Sequence, residues 1–535
     1  MADFGTLNWT ILVVYIFGNL LLGYYLSKRI RTADDFYLGD RTTPWWAIGI
    51  SVVATYVSAL SFLGGPSWAY TDGFSVIALH ANYPIVIFVV ITLFLPFFYN
   101  SGVASIYDYQ ERRFGPRARA LISSIWLVSQ TMTSAAILYA TSLVLEFITG
   151  IDVVHAIIIV TIIALIYTAL GGITAVIWTD VAQAGILFIG AIIILFALID
   201  QMPESISSTL TVLKSQGKLN PLEFDFDLTR ATTAWSGIIA MTLYHVTVYG
   251  TNQMMVQRTL ASKTIGDAKK SYLTMGFAAF FIYFLFIFLG VLFYSYYQGA
   301  EFENSNTIIL QFASEYGMPG LMGLIAAAVM AASMSSLDSA FNSMSTVMTV
   351  DFYQKYVRKD ASPKHYLNVT RALTVFIAFI IIIPAVMLTG STGSILLVLS
   401  NIGSYFVGAQ LGMFAVGFFS KHATEKGVLV GTAIGFVMVW YVANYSDISW
   451  PWYCLIGAVT NIVITIIASV LIDGVKKEYS PYTIRGQIRK FAEEGREEKQ
   501  DGWYLVPGKV DKVSYLLLVF FAATMLFLFL FGRAF

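Results

Sequence analysis

Stretches of about 20 apolar residues, the length that crosses a bilayer as a helix, recur from one end of the chain to the other. Short polar connections separate them and hold most of the charged side chains. This pattern predicts about fourteen transmembrane helices and therefore an all-α polytopic membrane protein. The helices are expected near residues 8–27, 44–69, 74–99, 119–148, 153–170, 175–199, 232–252, 271–297, 320–350, 366–389, 392–419, 426–444, 450–472 and 513–532.

The composition supports this class and excludes several functions. Of 535 residues, 57% are hydrophobic and only 12% are charged, and the mean hydropathy is +0.71. The net charge of zero gives no reason to expect a nucleic-acid partner. A single cysteine, Cys454, rules out an intrachain disulfide framework. No nucleophile or phosphate motif is present, and the longest polar stretch, 473–512, is too short for a catalytic domain, so we do not expect an enzyme.

The lysine and arginine positions predict how the helices are oriented, because cytoplasmic loops are enriched in these residues. With the N-terminus outside, every second loop is cytoplasmic, and these loops hold the lysines and arginines. The exceptions are Lys214, Lys218 and Arg230, which lie in the longest external loop. Both termini of this multi-pass protein are therefore expected outside the cytoplasm, in the cell (inner) membrane. The residues counted as cytoplasmic are Lys28, Arg29, Arg31, Arg41, Arg112, Arg113, Arg117, Arg258, Lys263, Lys269, Lys270, Lys355, Arg358, Lys359, Lys364, Lys421 and Lys426.

The segment 320–353 combines a membrane-spanning length with one carboxylate and many hydroxyls. On a helix, Ser335 and Ser339 share a face with Asn342 and Thr346, and Asp338 lies beside that face. A carboxylate at membrane depth costs about 2.5 kcal/mol or more unless it faces protein, a cavity or a cation. The pattern predicts a site for a hard cation. The alternative is ordinary hydrogen bonding between helices.

A second carboxylate, Asp180, is expected at a similar depth on a helix that runs in the opposite direction. Asp180 and Asp338 would repel each other unless a cation or a proton lay between them. We therefore expect Asp180, Asp338 and Ser339 to contribute to a cation site. Alternatively, Asp180 caps or pairs locally near the headgroups.

Two predicted spans contain helix-breaking sequences. The second span contains Gly64, Gly65 and Pro66, and the seventh contains Gly250 followed by three polar residues, so both are expected to be interrupted helices. Each opens a block of five helices, which is typical of inverted-repeat transporters with sites at the breaks. The alternative is a purely structural kink.

Four sequence segments together resemble the sodium:solute symporter family, which includes sodium/galactose, sodium/proline, iodide, monocarboxylate and multivitamin carriers. The segments are DDFYLGDRTTPWW, YTALGGITAVIWTDVAQ, GTNQMMVQRTLASK and AASMSSLDSAFNS. The resemblance implies a leucine-transporter-type core of two inverted five-helix repeats. The expected divisions begin with an N-terminal helix and cytoplasmic loop at 1–43. Repeats at 44–200 and 232–420 are joined by an external loop at 201–231, and peripheral helices with a cytoplasmic loop at 473–512 occupy 421–535.

The resemblance also implies a sodium site shared by most members. Its ligands here would be the carbonyls of Ala54, Val57 and Ala332 and the hydroxyls of Ser335 and Ser336. Some members resemble a two-sodium design, whose second site would here involve Asp180, Ser335, Asp338 and Ser339. This chain differs from them because Asp338 replaces a serine.

The resemblance places the solute pocket at the interrupted helices. Galactose-type members have glutamine, glutamate and asparagine where this chain has Ser61, His80 and His245, so galactose is not expected. The run ATYVSALSFLGGPSWAY is more similar to the iodide, monocarboxylate and multivitamin branch, which favours a small anion or carboxylate. Either histidine could instead join two helices structurally. The residues expected to bind the solute are Ser61, His80, Tyr83, His245 and Tyr249. The tyrosines considered as aromatic gates are Tyr83, Tyr244 and Tyr249.

These observations predict a sodium-coupled symporter that imports a small organic solute by alternating access, with Na⁺ as the coupling ion. A sugar or amino acid remains the alternative to a monocarboxylate or anion, and a membrane sensor the alternative to a transporter. The expected partners are sodium, the solute and the lipid bilayer, with no nucleic acid and with the chain as a monomer.

The predicted orientation can be tested by labelling single cysteines in a Cys454→Ser background. A cysteine at Glu303 is expected to react with an impermeant reagent on intact cells, and one at Lys359 only after the membrane is opened. Labelling of the Lys359 position on intact cells would reverse the orientation.

Overall fold

The computed structural model describes residues 4–27, 32–38, 41–101, 105–390 and 394–534. Three basic residues that were counted as loop charges, Lys28, Arg29 and Arg31, lie outside this part of the chain. Within it, eleven helices are long and apolar enough to cross a membrane, and one bent pair can form a twelfth span. The prediction of an all-helical polytopic membrane protein is confirmed at this level.

Helices account for nearly all of the regular structure. The α-helices are α1 (Thr6–Ser27), α2 (Ala33–Leu38), α3 (Trp45–Tyr56), α4 (Gly65–Asp72), α5 (Tyr83–Val89), α6 (Leu95–Ser101), α7 (Asp108–Arg113), α8 (Pro116–Thr149), α9 (Val153–Asp200), α10 (Ile206–Ser215), α11 (Met241–Gly250), α12 (Gln253–Leu260), α13 (Ile265–Tyr296), α14 (Ile308–Tyr316), α15 (Leu321–Val347), α16 (Pro363–Met387), α17 (Ile395–Phe419), α18 (Glu425–Tyr445), α19 (Pro451–Asp473), α20 (Ile484–Glu493) and α21 (Tyr515–Ala534). Single π-helical or 3₁₀ segments are Leu60–Gly64, Phe74–His80, Val90–Phe94, Ser236–Ala240, Ser305–Thr307, Met348–Val357 and Lys512–Ser514, and one antiparallel hairpin pairs β1 (Lys499–Gln500) with β2 (Trp503–Tyr504).

Helix α15 forms the centre of the bundle. It packs against α1, α3, α8, α9, α12 and α16. The span Leu321–Val357 contains α15, and 94% of the residues in its most apolar part are buried. In the most apolar part of α1, and of the span that contains α21, the buried share is 22%. Because small residues allow helices to approach closely, the many alanines and serines of α15 suit this central position.

The second predicted span is interrupted, but earlier than expected. Helices α3 and α4, with the π segment between them, bend by 55°, and Val57 has non-helical torsion angles (φ −80°, ψ 80°). The expected breakers have other roles. A Cβ on Gly64 would lie 2.8 Å from Leu396 of α17, and Pro66 occupies the first turn of α4, where a missing N–H costs little.

The seventh predicted span is interrupted where expected. Helix α11 ends at Gly250, and α12 begins at Gln253, with the Asn252 side chain accepting a hydrogen bond from the amide of Met254 (2.9 Å). A Cβ on Gly250 would lie 3.0 Å from the ring of Phe94, so glycine also permits close packing at this point.

Helix α9 contains a kink that separates two predicted spans. Gly172 adopts φ 54° and ψ −175°, a conformation that strongly favours glycine. The kink leaves an apolar piece at Val153–Ile166 and a long span at Gly172–Asp200, which carries Asp180. The predicted spans at 153–170 and 175–199 therefore correspond to two helices that are separated at Gly172.

Three basic residues that were counted as loop charges, Arg113, Arg258 and Lys269, are buried inside the protein. Arg258 has no exposed surface, and neither does Lys269. Lys269 donates to the carboxylate of Asp511 (2.5 Å) and to the carbonyl of Tyr504 (2.7 Å). The polar stretch between α19 and α21 is thereby fastened to the first turns of α13. Arg258 and Lys269 lie in helices α12 and α13 rather than in a loop, while their cytoplasmic side stays a prediction.

We expect Lys269→Met to lower the free energy of unfolding by about 3–5 kcal/mol, because it leaves the 7% exposed Asp511 carboxylate buried without its partner. Lys270→Met is the matched control, since the adjacent side chain is 40% exposed. Denaturant titration of the purified protein in detergent measures both variants. Equal losses would show that the ion pair contributes nothing specific.

Candidate functional site

The break after α3 releases backbone carbonyls from the helical hydrogen-bond pattern. In a continuous helix the amide of Ser58 would bond to the carbonyl of Ala54, but it donates to Tyr56 instead (3.0 Å). Likewise the amide of Ser61 donates to Ser58 (3.0 Å) rather than to Val57. The carbonyls of Ala54 and Val57 therefore lose their helical donors in a buried position, where an oxygen needs another positive partner.

Two serines of α15 lie beside this break with their hydroxyl hydrogens directed elsewhere. Ser336 donates to the carbonyl of Thr55 (2.8 Å), which fixes α15 against the end of α3. Ser335 donates to the carboxylate of Asp180 on α9 (2.5 Å). Because each hydroxyl uses its hydrogen in these bonds, its lone pairs stay available to accept a cation.

Asp180 is the hub of a buried hydrogen-bond network. One of its oxygens, Oδ1, accepts from Ser335, and the other, Oδ2, accepts from Ser51 (2.5 Å) and Thr55 (3.4 Å) of α3. The carboxylate has no exposed surface. It bonds to side chains of α3, α12 and α15 rather than capping a helix.

Arg258 of α12 supplies the positive charge next to Asp180. Its guanidinium donates to Asp180 (3.5 Å), to Ser51 (2.8 Å) and to Ser339. A third nitrogen donates to the carbonyl of Met254 in its own helix (2.6 Å). The guanidinium thus joins α12 to α3, α9 and α15.

Asp338 lies next to this network but outside the ion pair. Its Oδ1 accepts from Ser339 (3.2 Å), while its Oδ2 has no hydrogen-bond partner among the residues that the structure describes. It interacts electrostatically with Asp180, Arg258 and Tyr15. The three residues predicted for a second cation site, Asp180, Asp338 and Ser339, are therefore brought together around an arginine.

A cavity of about 110 Å³ lies beside the two interrupted helices. It is lined by α3, the following π segment, α8, α11, α12, α13 and α17. Its polar lining consists of hydroxyls, amides and aromatic rings, and none of the lining residues among those that the structure describes is Lys, Arg, His, Asp or Glu. The polar and aromatic residues are Thr55, Tyr56, Ser58, Ser61, Trp126, Ser129, Gln130, Thr133, Tyr244, Asn252, Tyr283, Ser400 and Gln410.

Of the five residues predicted to bind the solute, only Ser61 lines this cavity. His80, Tyr83, His245 and Tyr249 instead form a buried aromatic cluster. The ring of His80 stacks on Tyr283 at 3.9 Å between centroids, and His245 stacks on Tyr83 at 4.7 Å.

Tyr56 and Tyr283 connect the cluster to the cavity. Both line the cavity, and the Tyr56 ring contacts Tyr249 at 5.2 Å between centroids. His245 also bonds to Asn82 (2.9 Å), a contact between helices of the kind considered as its alternative role. The histidines thus lie behind the tyrosines that line the cavity, while Tyr244, one of the tyrosines considered as a gate, lines it directly.

Comparison with known proteins gives the family. A family profile described as the sodium:solute symporter family matches residues 36–435. The chain belongs to the sodium:solute symporter family. The symporter is 29% identical over 491 residues to a sodium/sialic acid symporter of Proteus mirabilis, covering 89% of this chain and 97% of the relative. It is also 29% identical to human sodium-coupled monocarboxylate transporter 1, and the match covers 79% of this chain and 70% of that transporter.

Solved structures agree with this assignment. A substrate-bound, outward-open structure of a Na⁺-coupled sialic acid symporter, described as revealing a novel Na⁺ site, superposes with a TM-score of 0.82 at 30% identity over 88% of this chain and 99% of that one. A nucleobase-cation-symport-1 family transporter shares the fold alone, with a TM-score of 0.53 at 12% identity. The protein is a sodium-coupled symporter with the same fold, and it is not an enzyme.

Sequence reasoning missed Arg258, Tyr56 and Tyr283. Arg258 was counted with the loop charges because Lys263 and two further lysines follow it closely. A signal was present, since MMVQRTL places the arginine in a mainly apolar run directly after the interruption at Gly250. Tyr56 and Tyr283 carried no signal that distinguished them from the many packing aromatics of the chain.

Proposed function

We propose that the coupling sodium binds between the end of α3 and the middle of α15, through the carbonyls of Ala54, Val57 and Ala332 and the hydroxyls of Ser335 and Ser336. The observation that carries this proposal is the joint arrangement at the break, where carbonyls lose their helical donors next to two serines whose hydrogens are used elsewhere. Neutral oxygen ligands are the chemistry that a hard cation prefers.

Sodium at this position would couple to the solute through the two interrupted helices. The break in α3 contributes both the carbonyls and Ser61 of the cavity, so an ion that draws α3 toward α15 also shapes the solute pocket. Binding energy at one site then changes affinity at the other, as in other transporters with broken helices. One sodium ion moving inward across 100 mV supplies about 2.3 kcal/mol, enough for roughly fifty-fold accumulation.

We propose that the solute is a small, hydroxylated and uncharged molecule. Side-chain amides of Gln130, Asn252 and Gln410 and the serine hydroxyls can bond to solute hydroxyls, and the tyrosine rings can cover its apolar face. A carboxylate would find no cationic side chain in the lining. This chemistry favours a sugar-like solute over the anion that the sequence suggested, and a relative that is a sodium/glucose cotransporter supports that choice.

We also propose the finer architecture that the sequence predicted. The eleven spans, the bent α3–α4 pair, the short apolar arm at Val153–Ile166 and the helical segment at 236–250 together provide fourteen crossings. The two repeats would occupy 44–200 and 232–420, with 421–535 outside the core. Both termini would lie outside the cytoplasm in the cell (inner) membrane.

We expect Ser336→Ala to weaken sodium binding by tenfold or more, because a hydrogen bond or ligand oxygen facing a charge contributes about 1.5–3 kcal/mol. Ser345→Ala is the matched control. Ser345 is equally buried on the same helix, but it bonds only within that helix, to the carbonyl of Asn342 (3.0 Å). Sodium titration of the purified protein by intrinsic fluorescence measures both. Wild-type affinity in Ser336→Ala would remove this serine from the site.

We expect proteoliposomes to accumulate a hydroxylated solute only with an inward sodium gradient. The panel is glucose, galactose, sialic acid, lactate and pyruvate, and galactose is expected to be rejected. Gln130→Leu is expected to weaken solute affinity by tenfold or more, because it removes an amide from the cavity wall, while sodium affinity stays unchanged. Sialic acid, lactate and pyruvate are anions at neutral pH, so sodium-driven uptake of these solutes alone would contradict the uncharged solute.

A further inference from the structure

Helix α16 carries cationic side chains on the side that faces lipid. Only 33% of its most apolar part is buried, and its exposed apolar side chains include Val375, Phe379 and Ile383. Arg371 lies one turn before Val375 and therefore on the same side of the helix. Lys364 lies two turns before Arg371, in the first turn of α16. Both cations are thus placed where the apolar face ends, which is the level of the lipid headgroups.

The protein supplies no counter-charge to Arg371. Its guanidinium forms no ion pair or hydrogen bond with any residue that the structure describes, and its Nε is buried without a partner among them. A charged side chain in a membrane span is costly unless an opposite charge or a polar group meets it. An arginine that faces lipid finds such a partner by extending its side chain to the headgroups.

Two further cations are held beside the start of α16. Arg358 and Lys359 lie in the connection that follows α15, and the Tyr366 hydroxyl lies 2.8 Å from the carbonyl oxygen of each. The same hydroxyl accepts from the amide of Ala361 (3.1 Å). Because Tyr366 is itself a buried residue of α16, it fixes the backbone of this connection against the helix.

The charges of this surface are unbalanced. Between residues 356 and 371 the chain has one acid, Asp360, and four basic residues, which we call the basic cluster: Arg358, Lys359, Lys364 and Arg371. None of the four forms an ion pair with a residue that the structure describes. By contrast, Lys355 pairs with Glu111, and Lys426 at the start of α18 pairs with Asp473.

Exposed apolar side chains adjoin the basic cluster. Tyr356 is 57% exposed and Val357 is 70% exposed, and both directly precede Arg358. Aromatic and apolar side chains next to cations are typical of a surface at the boundary between headgroups and hydrocarbon.

We propose that the basic cluster binds the phosphate of an anionic phospholipid, in the leaflet that the lysine and arginine pattern predicts to be cytoplasmic. The guanidinium of Arg371 can donate to two phosphate oxygens at once. The other three cations add attraction to a negatively charged membrane surface. The inference does not depend on the proposed sodium site or on the identity of the solute.

Native mass spectrometry of the purified full-length protein tests the inference, because it counts the lipids that stay bound. The protein is titrated in detergent with an equal mixture of phosphatidylglycerol, which is anionic, and phosphatidylcholine, which has no net charge. We expect the wild type to retain phosphatidylglycerol preferentially. Arg371→Gln is expected to weaken this binding by about tenfold or more, because the bidentate partner of the phosphate is lost. Lys364→Gln is expected to weaken it by about fivefold.

Lys426→Gln is the matched control. It removes one positive charge from the first turn of α18, another helix that is exposed to lipid, but from a side chain that already has an acidic partner. This variant is expected to match the wild type. Inorganic phosphate at the lipid concentration is a second control, and it is expected to leave the bound lipid in place because it lacks the apolar chains.

Equal retention of the two lipids by the wild type would overturn the inference, and so would wild-type affinity in Arg371→Gln. Displacement of phosphatidylglycerol by inorganic phosphate would show a simple anion site and would also overturn it. Thermal melting in detergent shows whether each variant is folded. Should Arg371→Gln not fold, the lipid preference of the wild type and the affinity of Lys364→Gln still decide the question.

Discussion

The buried ion pair between Arg258 and Asp180 is the interaction on which the arrangement of this site depends. Removing either partner would leave a charge in a protein interior that no water reaches, a loss of about 3–5 kcal/mol. The pair therefore requires α12, α3, α9 and α15 to meet at one point. Helix α12 follows the break at Gly250, and α3 precedes the break at Val57. Because Arg258 joins both helices to α15, both breaks are fixed relative to this central helix.

The interruptions themselves follow from the same shortage of water. A backbone carbonyl without its helical donor is tolerated at membrane depth only where protein or an ion supplies a positive partner. At the break after α3 the released carbonyls face the part of α15 that is richest in serine. Ser335 and Ser336 donate to Asp180 and to the carbonyl of Thr55, so the ion pair and the proposed sodium site share a single hydrogen-bond network.

The solute region consists of two layers of side chains with different roles. An inner layer of amides, hydroxyls and tyrosines lines the cavity, and an outer layer of stacked histidine and tyrosine rings supports it. Tyr56 and Tyr283 belong to both layers. A change in the outer layer would therefore reach the solute through the position of these two rings.

The sequence by itself determined the membrane class, the positions of the eleven long spans, the interruption at Gly250 and the polar face of α15. Each depends on local information, namely apolar length, helix-breaking residues and helical periodicity. Gly64 and Pro66 predicted the wrong position for the first break, which lies at Val57. Glycine also permits close packing, and proline also occurs in the first turn of a helix. Only the tertiary structure placed Arg258 against Asp180, since a charge next to loop lysines is indistinguishable in sequence from a loop charge. Only the tertiary structure showed that Ser61 lines the cavity while the histidines lie in the cluster behind it. Packing between distant parts of the chain decides which face each helix presents to a cavity.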